Sequence, residues 1–131
     1  MSTSLDFRGK LPSVQYNTIA RTDTAAKTLF ILPKGSIPIA IEIFSGTASD
    51  ASTSAVVSVG KTGSNTFFLN TWDVKTAATG TGVQFPTGAK VTNLFASVGI
   101  ADITVVGIYA EAGTASTTGG AWTVAIWYLD P

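Results

Sequence analysis

Residues 29–44, LFILPKGSIPIAIEIF, set two runs of alternating apolar residues on either side of a four-residue turn signal, and that layout commits the chain to β structure. Leu29 and Ile31 alternate with Thr28, Phe30 and Leu32, while Ile37, Ile39, Ile41 and Ile43 alternate with Pro38, Ala40, Glu42 and Phe44. A period of two is the repeat of a pleated strand, whose side chains point to opposite faces in turn. The four isoleucines therefore predict one wall of a core. Between the runs, Pro33 presets φ and Gly35 can take positive φ, so Pro33-Lys34-Gly35-Ser36 predicts a reversal or a corner, and the segment is expected to form a core hairpin. Pro38 has no N–H to donate, which predicts an edge or strand-start position.

The same signal recurs along the chain. Residues 55–60 and 66–70, joined by a turn over 61–65, predict a second hairpin. Residues 71–82 read as a long connection pinned to the core by Trp72 and Val74, followed by a short strand over 83–85 that Pro86 ends. Residues 91–98 and 102–110 predict two more strands, and 121–129 a last one in which Trp122, Val124, Ile126 and Tyr128 alternate against Ala125 and Trp127. The segments 102–110 and 121–129 are apolar on both faces, as strands are that lie between layers or under an interface. Small polar residues fill 45–54 and 111–120, which predicts surface loops. Turn signals every eight to twelve residues and almost no helical period predict an all-β fold: a single antiparallel β-sandwich of jelly-roll type with about eight short strands. Before it, 14–18 allow a weak strand, but 1–26 as a whole lacks apolar periodicity and carries Gly9 and Pro12. The expected organisation is an extended N-terminal arm over 1–26 and the sandwich over 27–131.

A chain of 131 residues is one domain by the ordinary size prior. Charged residues make up 12%, against about 25% in ordinary soluble domains, so the surface must be Ser, Thr, Gly and Ala, or interface. The formal net charge is zero, which removes the electrostatic footprint of a nucleic-acid binder. Charge is nevertheless divided. Arg8, Lys10, Arg21, Lys27 and Lys34 stand against only Asp6 and Asp23 in the first 35 residues, and Lys61, Lys75 and Lys90 stand against six acids in the rest. This division is either scatter on a solvated surface or a basic arm that docks on an acidic neighbour. Leu5 and Phe7 could add a short strand to such a neighbour, and Leu5, Phe7, Arg8, Lys10 and Arg21 are the candidate partner-binding residues. No apolar leader, no run of about 18 apolar residues and no Asn-x-Ser/Thr sequon is present, which predicts a cytoplasmically made, unglycosylated protein with no membrane partner.

Histidine and cysteine are absent. Ser–His catalysis, thiolate chemistry, disulfides and imidazole or sulfur metal ligands are thereby excluded. Carboxylate pairs remain available to a glycosidase, yet Asp50, Asp73, Asp102, Glu111 and Asp130 form no paired motif, and no calcium-loop spacing occurs. No catalytic residue, metal site or cofactor is expected. Gly60-Lys61-Thr62 mimics the end of a phosphate loop, but Ala55 stands where that motif needs its first glycine, so a hairpin turn is the reading. Trp72, Trp122 and Trp127 suit either packing or a sugar-stacking platform, with packing favoured.

The order LPKG–IPIAIEI, AVVSVGKTGSN–FFL, a long loop, DITVVGIYA and a closing AWTVAIWYL resembles the small structural proteins of tailed-phage virions, and among them the jelly-roll decoration or cement proteins of capsid shells. The resemblance covers roughly residues 29–129 and lies in layout and composition. It implies a non-enzymatic protein of the capsid surface, a homotrimer, whose partner is the major capsid protein or another virion protein and which stabilises the assembled shell. The rival from a different class is a carbohydrate- or receptor-binding module of a tail fibre or baseplate.

Overall fold

The computed structural model describes residues 12–44, 46–75, 83–84 and 101–130; among these are eight strands and no helix. In chain order they are β1 (Ser13–Ile19), β2 (Lys27–Leu32), β3 (Ile37–Phe44), β4 (Ser54–Lys61), β5 (Ser64–Asp73), β6 (Val83–Gln84), β7 (Ile103–Ala112) and β8 (Trp122–Leu129). One sheet has the order β1-β8-β3-β6 and the other β2-β7-β4-β5. All pairings are antiparallel. Among the described strands, each is followed by one in the other sheet, except β4, which β5 follows in the same sheet. Ile41, Ile43, Val124 and Ile126 of the first sheet and Phe30, Leu32, Val57, Val59, Leu69, Val105 and Tyr109 of the second form one buried cluster between them. Each such side chain contributes about 1.5–3 kcal/mol by leaving water.

Residues 29–44 are not a hairpin. β2 pairs with β7 and β3 with β8, so the turn between them carries the chain from one sheet to the other. Ser36 closes that corner by donating its N–H and its hydroxyl to the Pro33 carbonyl at 3.1 and 2.7 Å, with Gly35 at φ 77°. A corner lets both runs turn their apolar faces into one interior from opposite sides, where a hairpin would put them on the same side. The isoleucine wall is also shorter than its period suggests. Ile41 and Ile43 are buried, whereas a register shift between Pro38 and Ala40 changes the phase and leaves Ile37 and Ile39 half-buried. Pro38 sits at the start of β3, beyond the two residues that β6 pairs, in keeping with its missing donor.

The second hairpin is present and tighter than expected, with Thr62 and Gly63 alone between β4 and β5 and Gly63 at φ 87°. β5 runs on to Asp73, and Trp72 and Val74 are buried as anticipated. The strand expected over 91–98 lies outside the described residues.

The N-terminal region differs most from its sequence reading. Ser13–Ile19 pairs with β8 along its whole length, from Ser13 opposite Tyr128 to Ile19 opposite Trp122, so an arm over 1–26 is contradicted and only what precedes Ser13 remains open to that reading. Its alternation is inverted: Val14, Tyr16 and Thr18 are exposed, and the side facing the other sheet carries Gln15 and Asn17. Those amides do what a core side chain does elsewhere. Gln15 Nε2 donates to the Ile31 carbonyl at 2.6 Å, Asn17 Nδ2 to the Leu29 carbonyl at 2.9 Å, and Lys27 Nζ reaches back to the Thr18 carbonyl at 2.8 Å. Three rungs thus close the gap between the edge strands β1 and β2 and occupy edge carbonyls that could otherwise template pairing. Asn17→Ala is expected to lose about 0.5–1.5 kcal/mol, one net hydrogen bond. Urea unfolding measures this, and an unchanged midpoint would mean that the rungs do not hold the edge.

Candidate interaction surfaces and the loop-end polar network

Of the five candidate partner-binding residues, Leu5, Phe7, Arg8 and Lys10 lie outside the described residues. Arg21, on the β1–β2 loop, donates from Nη1 to the Ser116 carbonyl at 3.2 Å and so joins two loops at one end of the sandwich.

That end holds a polar network without a sequence motif. The β3–β4 and β7–β8 loops are tied by reciprocal backbone bonds between Thr47 and Gly120 at 3.0 and 3.1 Å. Behind them the buried Tyr109 hydroxyl lies 2.6 Å from Ser49 Oγ and donates to Glu111 Oε2 at 2.7 Å, while Ser116 N–H donates to the same carboxylate at 3.1 Å. Since the one Tyr109 hydroxyl proton goes to Glu111, Ser49 is the donor to Tyr109, and the hydrogen bonds run from Ser49 through Tyr109 to the Glu111 carboxylate. Burial raises the pKa of Tyr109. Hydrogen bonds from Ser116 and Tyr109 hold the Glu111 carboxyl below its usual range. Nearby, Asp50 accepts the N–H of Thr118 at 3.0 Å and the hydroxyl and N–H of Thr117, both at 2.7 Å, and these bonds, Thr118 first, hold it well below the ordinary carboxylate range.

The other three acids considered for catalysis are occupied in the same manner. Asp102 accepts the Lys34 N–H at 2.8 Å, Asp73 the Lys75 N–H at 2.7 Å, and Asp130 the Ser13 hydroxyl at 3.0 Å. These five carboxylates are end-caps of loops and strands, and among the described residues no three acids cluster as a metal site would require. A lowered carboxylate pKa stabilises the fold above the group's unfolded pKa, near 3.9 for aspartate, and that stabilisation is lost as pH falls toward the folded value. Asp50→Asn is therefore expected to lower the thermal midpoint at pH 7, and its deficit relative to the parent should shrink as pH drops below about 4. Calorimetry across pH 2–7 reads this out; a deficit that does not change with pH would contradict the role given to the carboxylate.

The tryptophans divide. Trp72 and Trp122 are buried in the core, Trp122 stacked on Tyr109 at 5.5 Å and 12°. Trp127 is half-buried, opposite Val14 of β1 and Ala40 of β3. Both strands expected to be apolar on two faces are so: Val106 and Ile108 of β7 alternate with inward Val105 and Tyr109, and Ala125, Trp127 and Leu129 of β8 with inward Val124, Ile126 and Tyr128. Among the described residues, the large hydrophobics left exposed are Val14 at 37%, Tyr16 at 68% and Ile31 at 50%, all on β1 and β2. Sequence reasoning missed this pair of strands as a surface, because the alternation of β1 gives no sign of which face is inward.

No family model and no curated protein matches the chain. In solved structures, the two-sheet fold is similar to a chain of the cyanophage Pam1 capsid asymmetric unit, with 22% sequence identity and a TM-score of 0.72, over 100% of this chain and 93% of that one. At that identity the likeness is one of fold.

Proposed function

We propose that this protein is a non-enzymatic structural component of a phage virion, a cement or decoration protein that binds the assembled capsid shell and stabilises it. The observation that carries this reading is the fold likeness to a capsid chain along the full length of the molecule. The strand orders β1-β8-β3-β6 and β2-β7-β4-β5, in which the described strands alternate between sheets except at β4 and β5, support a jelly roll, an architecture shared by capsid proteins and lectins. Carboxylates spent on capping and a chain without His or Cys support the absence of catalysis. The partner is the major capsid protein or another virion protein; the place of action is the capsid surface, after synthesis in the host cytoplasm. The large hydrophobics exposed among the described residues, Val14, Tyr16 and Ile31, support a homo-oligomer, a trimer on a three-fold or quasi-three-fold shell position. Residues 1–11, with Leu5, Phe7, Arg8 and Lys10, engage the shell as an arm, with Arg21 contributing from the loop end.

A protein that binds the closed lattice and not free subunits stabilises it by mass action, by about 2.7 kcal/mol at a hundredfold excess over Kd. Added to shells that lack it, the full-length protein should bind to saturation and raise the temperature of shell rupture. Equal binding to unassembled coat subunits, or none to shells, would overturn the proposal. Removing residues 1–11 should leave the unfolding midpoint unchanged and weaken shell binding about tenfold or more, the equivalent of about 1.4 kcal/mol; unchanged affinity would remove the arm from docking.

A further inference from the structure

We infer that the loop end of the sandwich has a second, open arrangement, in which the Thr47–Gly120 bridge parts and the Trp122 indole N–H meets water while both sheets stay paired. The bridge stands outside the strands and consists of two backbone bonds, from Thr47 N–H to the Gly120 carbonyl at 3.1 Å and from Gly120 N–H to the Thr47 carbonyl at 3.0 Å. On either side of it the loops are fixed. Asp50 holds Thr117 and Thr118, Arg21 holds Ser116, and Ser49 donates its N–H to the Val74 carbonyl at 3.0 Å, while Trp122 begins β8 opposite Ile19 of β1. The segments between these anchors are therefore short, 46–48 in one loop and 119–121 in the other.

Two features disfavour the closed form. Ala121 is held at φ 57°, in the left-handed region where a Cβ is crowded, between Gly120 at φ 127° and the buried ring of Trp122. The Nε1–H of that ring is sealed from solvent, and no acceptor among the described residues reaches it. Gly46, next to the bridge, covers the ring: a Cβ there would collide with the indole Cδ1 and come within 2.9 Å of both Nε1 and the Gly120 carbonyl oxygen. A buried donor without an acceptor gains a partner once water reaches it. Opening relieves both features together and breaks only two backbone bonds, whose groups water also satisfies. The strands have no such route, because β8 is paired on both sides, with β1 and with β3. Gly119 and Gly120 lie between the Asp50-held residues and β8 and supply the backbone freedom for the movement. A partner that meets this end of the sandwich therefore has two arrangements to select between.

Native-state hydrogen exchange on the full chain, followed by NMR, reads the opening. Protection of the Thr47 and Gly120 N–H groups and of the Trp122 indole N–H should be alike, at least about a hundredfold below that of the Val124 and Ile126 backbone N–H groups. It should barely change in dilute urea, because the opening exposes little surface. Gly46→Ala crowds the ring and the Gly120 carbonyl in the closed form alone, so it should accelerate exchange at the three sites about tenfold or more. Ile41→Val, a core change on β3 that affects the closed and open forms equally, should speed Val124 and Ile126 about fivefold and leave the three sites unchanged. The inference is overturned if the three sites share the rate and urea dependence of Val124, or if Ile41→Val speeds all five alike, since the opening is then global unfolding. It is overturned equally if Thr47 and Gly120 exchange fast while the indole N–H stays as protected as Val124, which would mean that the loops fray without uncovering the ring, or if a folded Gly46→Ala protein leaves the three rates as they were.

Discussion

Replacing Trp122 by alanine is expected to cost about 3–5 kcal/mol, a large part of the 5–15 kcal/mol that holds a domain of this size together. Trp122 is fully buried, pairs with Ile19 on β1 and stacks on Tyr109 of β7, so one ring joins the central strand of each sheet. Gly46, on the β3–β4 loop, lies against the same ring, where a Cβ would come within 2.9 Å of the indole nitrogen. Alanine leaves a cavity bordered by both sheets and a loop, and paired strands cannot collapse to fill it. Trp122→Phe keeps most of the contact and removes an indole N–H that has no hydrogen-bond partner among the described residues, so it should cost distinctly less. Urea unfolding followed by far-UV circular dichroism distinguishes the two. Equal costs for Ala and Phe, or a cost below about 1 kcal/mol for Ala, would mean that the ring does not bridge the sheets.

Gly60→Ala is expected to match or exceed the ~3 kcal/mol upper end of ordinary overpacking, although it adds a single methyl group. Gly60 lies on β4 where the register against β5 slips between Val59 and Lys61, and the extra β5 residues fold across it. A Cβ there would run into the backbone of Ser64 and Asn65. A flexible side chain could swing aside, but backbone within a two-residue hairpin cannot move without opening the hairpin. Gly63→Ala, three positions on, provides the contrast: its Cβ would meet nothing, so only the cost of positive φ should appear, about 1 kcal/mol. A Gly60→Ala protein as stable as the parent would contradict the slipped register.

Much of the strand pattern was legible in the sequence, because a period of two survives wherever one face of a strand meets the core. The bounds of β2, β3, β7 and β8 follow from it closely. Pairing did not follow: Pro33-Lys34-Gly35-Ser36 specifies a tight reversal of the chain, and whether the returning strand joins the same sheet or the opposite one depends on edges hundreds of atoms away. β1 was obscured for a different reason. At the rim of a sandwich the inward face looks at the carbonyls of the other edge strand, so Gln15 and Asn17 face in and Tyr16 faces out, which reads as an unstructured polar segment. Bulges at Leu29 and Ile39 disturb the alternation locally, each adding one residue that the period cannot anticipate. The Ser49–Tyr109–Glu111–Ser116 network joins residues from two loops and a strand end, and no spacing in the chain announces it. The acids considered as a catalytic pair were legible only as types; their roles as caps depend on which N–H groups the loops turn toward them.

The central claim, that this sandwich binds an assembled capsid shell, is tested most directly by cryo-electron microscopy of the particle from which the chain comes. The result expected is density for the two-sheet fold on the outside of the capsid, at symmetry-related shell positions. Density for this chain confined to the tail, or no density on the shell of a particle that contains the protein, would contradict it.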